Sequence, residues 1–130
     1  MPALVYARLP SRPGARHVRI IECLLEMNRE GHAPAVSECI RMCRDLRTSR
    51  RDSQFVKKLA YLPGVWELKP NVRGGLRGGA RVYFFWLPAG QPLLVSAEYK
   101  QQGQQADLKL LGEVVEVAEA VQSAQRREEP

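Results

Sequence analysis

Between Val65 and Lys100, two turn-forming clusters cut the chain into three short apolar runs, and this punctuation constrains the fold more than any other feature. Residues 65–69 (VWELK) alternate well enough for a strand. Residues 81–87 (RVYFFWL) are rich in aromatic and β-branched types, and residues 93–99 (LLVSAEY) form a third run. Side chains of these kinds favour the pleated surface of a sheet. The glycine-rich stretch 71–80 (NVRGGLRGGA) and the cluster PAGQP at 88–92 turn the chain back on itself. Three runs with short links read as an antiparallel meander.

The flanking segments change period. Residues 3–9 (ALVYARL) read as a short N-terminal strand closed by Pro10 and Pro13. From Ala15 to Glu30 the spacing is helical, with Val18, Ile21, Leu24, Leu25 and Met27 as its apolar stripe and Gly31 as its stop. Pro34 suits the first turn of a second helix, whose face is Val36, Ile40, Cys43 and Leu46. A last helix runs from an N-cap at Asp107 to about Gln125, with Leu108, Leu111, Val115 and Ala118 in a stripe. The resulting plan is α+β: an N-terminal strand, a helical hairpin, a three-stranded antiparallel meander and a C-terminal helix, with the helices on one face of the sheet. One domain over 1–126 and a frayed tail at 127–130 account for the whole 130 residues.

Charge narrows the partners. The first hundred residues carry 17 basic and 8 acidic groups, a net of +9, and the last thirty are net acidic, leaving +6 for the chain. The segment 41–58 alone is +5 and includes Arg47, Arg50 and Arg51. A body of this sign attracts polyanions, nucleic acid first, or an acidic protein. No apolar run reaches the roughly 18 residues of a membrane span, and the N-terminus has no secretory apolar core, so a cytoplasmic protein is expected. Cys23, Cys39 and Cys43 are odd in number, which argues against a disulfide framework. A zinc site drawn from Cys39, Cys43 and His17 or His32 lacks any paired CxxC motif. Buried free thiols are the expectation, with no metal and no cofactor.

The string FVKKL…LPGVWELKP…GGARVYFFW…PLLVSAEYKQ resembles the RelE/ParE toxin superfamily, its phage-derived HigB-like branch most of all. The likeness runs from about residue 55 to 126. It implies a small toxin of a type II toxin–antitoxin system, held by a cognate antitoxin that is a small helix-turn-helix protein. Many such toxins are metal-independent endoribonucleases that cleave mRNA on the ribosome by 2′-OH attack on the adjacent phosphate. ParE-like members instead inhibit gyrase. A non-catalytic binder on this fold, or a basic nucleic-acid-binding module of phage origin, is the alternative.

Phosphodiester cleavage of this kind needs a base, cations for the developing dianion, and an acid. In a meander, the end of the first strand, the start of the second and the end of the third share one edge. Lys69, Arg81, Tyr99 and Lys100 occupy those positions and are the candidate catalytic residues. Clustered cations lower a lysine toward neutrality, because like charges disfavour its charged form. Arg73 and Arg77 hang from the loop at the same edge as phosphate contacts, with Arg47, Arg50 and Arg51 as a second RNA-binding group. Tyr99 is also placed to stack on a base. Glu98 is either a base or a salt-bridge partner.

Overall fold

The computed structural model describes residues 5–6, 19–70, 79–101 and 105–128. Helix α1 (Arg19–Arg29) turns into helix α2 (Ala33–Ser49) through Gly31. The His32 N–H bonds the Met27 carbonyl at 2.9 Å and the Gly31 N–H bonds Asn28 at 3.1 Å. This double closure needs a left-handed residue, and Gly31 supplies it at φ +89. A 3₁₀ turn, Arg50–Asp52, leads to strand β2 (Val56–Lys58), followed by β3 (Trp66–Leu68), β4 (Gly79–Trp86), β5 (Pro92–Lys100) and helix α3 (Leu108–Glu128).

The sheet runs β5-β4-β3-β2, each pair antiparallel, so the meander has four strands where the sequence suggested three. β2 escaped notice because three residues, VKK, are too few to show alternation, and both lysines are exposed. The expected N-terminal strand over 3–9 reduces, among the described residues, to a two-residue parallel pairing of Val5–Tyr6 (β1) with Leu93 and Leu94. Two residues are too few to form a proper strand.

Register settles which side chains share a face. Val82 pairs with Leu68 and Ala97, and Phe84 pairs with Trp66 and Leu94, so these lie on one face. α1 and α2 cover it: Ile20, Leu24, Ile40 and Cys43 meet Val82 and Leu94 there. Arg81 pairs with Glu98, and Tyr83 pairs with Glu67 and Ser96, so these lie on the other face. α3 packs on that side, where the Ser96 hydroxyl donates to the Leu110 carbonyl at 3.3 Å. The helices therefore occupy both faces, and the expectation of a single covered face is corrected. The reason is visible in the strands: residues 80–85 and 92–98 are buried without alternation, as strands covered on both sides must be. Between Tyr83 and Phe84 the ladder slips, leaving Val95 as a bulge. Ser96 and Leu94, two apart in sequence, thus stand on opposite faces.

The expected helix stripes hold in part: Met27, Leu46 and Leu111 are buried, and Ile21, Leu24, Val36, Cys43, Val115 and Ala118 pack against the core. α1 buries Ile20, Cys23 and Met27, and α2 buries Ala35, Cys39, Met42 and Leu46. Leu25 and Ile40, read from sequence as core, are both more than two-fifths exposed. Asp107 does cap α3: its carboxylate accepts the Lys109 N–H at 2.9 Å. Leu108, expected in the core, is 74% exposed, and Leu110 and Val117 are buried instead. No helix among the described residues is long and apolar enough to cross a membrane.

Candidate functional site

β3, β4 and β5 bring Lys69, Arg81 and Lys100 to one face of the sheet. Lys69 follows β3 directly, its N–H held by the Phe55 carbonyl at 3.0 Å, which extends the β2–β3 ladder by one step. Arg81 lies opposite Glu98, and Lys100 lies opposite Gly79. Gly79 takes φ +109 at the start of β4, and a Cβ there would stand 3.3 Å from the Pro70 ring. Glycine is thus required where the loop joins the strand.

The electrostatics follow from this gathering. The Lys69 ammonium is held below its ordinary pKa first by partial burial, then by Lys57 and Arg81, and less by Lys100. Glu67 opposes that shift. The clustered cations inferred from sequence are therefore present around this lysine, with Lys57 as a member that sequence reading did not single out. Lys57 pairs with Glu67 in β3, a placement that only the fourth strand reveals.

A second group completes the face. The fully buried Tyr83 hydroxyl donates to the Glu98 carboxylate at 2.6 Å, and the Asp107 N–H donates to the same oxygen at 3.0 Å. Burial, the bond to Glu98 and the nearby carboxylates push the Tyr83 phenol far above its ordinary range. Glu98 is thereby engaged by the fold, tying the start of α3 to the sheet. Exposed Tyr61, in the β2–β3 loop, is raised by partial burial and by the charges of Glu67 and Glu98. An aromatic in a loop carries no periodic signal, and Tyr61 was not legible as a site residue.

Tyr99 and the arginines of the segment 47–51 lie elsewhere, and Arg81 is on the face but buried. Tyr99 alternates to the opposite face and stacks on His32 of the hairpin, ring centroids 4.1 Å apart. Arg81 is 2% exposed, and its guanidinium donates to the Ala80 carbonyl at 2.9 Å. Arg51 sits 4.5 Å over the Trp86 ring and 5.5 Å over Trp66, on the α1–α2 side. Arg50 reaches the Gly90 carbonyl at 3.5 Å, and Arg47 is exposed on α2. The basic segment 41–58 is thus divided: Lys57 joins the lysine–arginine face, and Arg47 and Arg51 stand across the sheet from it. Arg73 and Arg77 lie outside the described residues. Among the described residues no group of three or more His, Cys, Asp or Glu side chains is arranged to hold a metal.

Compared with known proteins, the chain matches no family model and no curated sequence.

Proposed function

We propose that the chain is the toxin of a RelE/ParE-like toxin–antitoxin pair, acting in the cytoplasm as a metal-independent endoribonuclease on mRNA at the ribosome. The observation that carries this reading is the grouping of Lys69, Arg81 and Lys100 on one sheet face, with Lys69 held below its ordinary pKa. A lysine lowered in this way has more of the neutral form that removes a proton from the 2′-OH. Arg81 and Lys100 supply positive charge for the phosphorane. The partner is a cognate antitoxin, a small helix-turn-helix protein whose toxin-binding segment is acidic.

Induced expression in a bacterium, with translation and replication measured separately, tests the reading. A rapid stop in translation with mRNA cleavage is expected. Arg81→Ala should lower cleavage by about two to three decades, the usual effect of losing one preorganised donor to a developing anion. Because Arg81 is buried, its urea midpoint should fall as well, and Lys69→Ala, at a half-buried position, is the companion variant that should lose cleavage with the fold intact by circular dichroism. Growth without any mRNA cleavage would overturn it.

The burial of Arg81 and the turning of Tyr99 to the hairpin side favour a second reading, a non-catalytic binder on the same fold. A gyrase-directed toxin would stop replication and leave mRNA whole. A degenerate relative would do neither, and a basic nucleic-acid-binding module would retain RNA or DNA without cleaving it.

A further inference from the structure

α1 and α2 diverge from the Gly31 turn, and between them opens a cleft of about 280 Å³ with the sheet as its floor. Ile20 and Leu24 form one wall, Ile40 and Cys43 the other, and Val82 and Leu94 the base. These include the apolar side chains that the helices carry beyond what the core takes up. Arg44 and Arg47 line the same cleft from α2. Three residues apart, they lie on one helix face, one turn from each other. Both are exposed, and neither has an acidic partner among the described residues. Burial pushes the Cys43 thiol up to about 12, so this wall stays uncharged at neutral pH and adds no anion to compete for the two guanidiniums.

We infer that this cleft binds a single-chain aliphatic carboxylate of medium length, its tail on the apolar walls and its head on Arg44 and Arg47. Size selects the class. An apolar cavity of about 150 Å³ holds a benzene molecule, so this cleft takes a chain of about ten carbons by the same measure. The mouth spans about two turns of α2, from Ile40 to Arg47. Charge selects the head group, because paired guanidiniums favour a carboxylate over a neutral hydroxyl. The site is on the hairpin side of the sheet, across from Lys69 and Lys100, and stands or falls independently of the proposed RNA chemistry.

Calorimetric titration of the full chain with linear carboxylates of six to fourteen carbons, each below its micelle concentration, tests the inference. Affinity should rise about threefold to fourfold per methylene up to about ten carbons and then level. The matched alcohol should bind about tenfold more weakly. Arg44→Ala combined with Arg47→Ala should erase that preference and keep the dependence on length. Ile40→Trp, at an exposed rim position that leaves the core untouched, should block binding of acid and alcohol alike. Equal binding of acid and alcohol, affinity that climbs without levelling, or an undiminished Ile40→Trp protein would each overturn the inference. So would binding to anionic phospholipid vesicles with no affinity for the monomeric acids, or a self-association that buries the cleft and excludes them.

Discussion

Replacing Tyr83 with phenylalanine isolates one bond in an otherwise unchanged core. The ring is fully buried and stays in place, so no cavity opens. What is lost is the hydroxyl that donates to Glu98 at 2.6 Å. Hydrogen bonds to charged groups contribute about 1.5–3 kcal/mol. Glu98 keeps the Asp107 N–H at 3.0 Å, so the carboxylate is not left bare and the lower end applies, about 1.5 kcal/mol. With unfolding entropy near 2.1 cal/mol/K per residue, a chain of this length loses about 5 °C in Tm. Chemical denaturation should give the same loss through the midpoint, with the slope unchanged. The pH dependence has a definite sign. The folded-state pKa of Tyr83 is raised, so its contribution is complete below about pH 10, the ordinary tyrosine value. It declines as pH rises beyond that, because only the unfolded chain releases the proton. Tyr83→Phe should therefore flatten the alkaline loss of stability. In a double-mutant cycle with Glu98→Gln, the two changes should couple by about 1 kcal/mol or more. A Tyr83→Phe protein with an unshifted midpoint and an unchanged alkaline slope would refute the assignment of this bond as the clip between sheet and α3.

Under the proposed ribonuclease reading, cleavage should increase with pH and inflect below the ordinary lysine pKa, since Lys69 is lowered; Lys57→Ala should move that inflection upward in pH–rate profiles. Leu46→Ala, at a fully buried α2 position, should cost about 3 kcal/mol in urea unfolding. His32→Ala should cost about 1 kcal/mol by loss of the stack on Tyr99, measured in the same way. If the proposed antitoxin meets the basic segment 41–58, its association should slow markedly between low and physiological salt, and Arg47→Glu should reduce that salt dependence; a rate indifferent to both would refute a role for α2 in that contact.

The meander was legible because its turns are written in glycine and proline and its strands in aromatic and β-branched residues. β2 was not, since Val56, Lys57 and Lys58 show a strand only through their pairing with Leu68, Glu67 and Trp66. The hairpin was legible as two helices, from Gly31 and Pro34, and in most of its stripe: Met27 and Leu46 are buried, and Ile21, Leu24, Val36 and Cys43 pack against the core. Leu25 and Ile40 lie at the margin of that arc and are exposed, and Cys23, Ala35 and Cys39, which hydropathy ranks below them, are buried. In the site, sheet-edge geometry correctly brought Lys69, Arg81 and Lys100 together. It failed for Tyr99, because an edge argument ignores the alternation that sends neighbouring side chains to opposite faces. Cover on both faces was written in the strands, since the runs of β4 and β5 are continuous and lack the alternation of a half-exposed strand.

The bulge at Val95 makes β5 one residue longer than its pairing with β4 requires. Its eight cross-strand partners would all survive the loss of that residue, since Ser96 would still meet Tyr83 and Leu94 would still meet Phe84. Elsewhere in β5, removing one residue exchanges every side chain beyond the cut between faces and drives Glu98 or Leu93 to the wrong layer. The strand therefore holds a single position at which a codon can vanish from the gene with its cross-strand pattern kept whole. The cost there is confined to one buried valine and the local twist that the bulge provides.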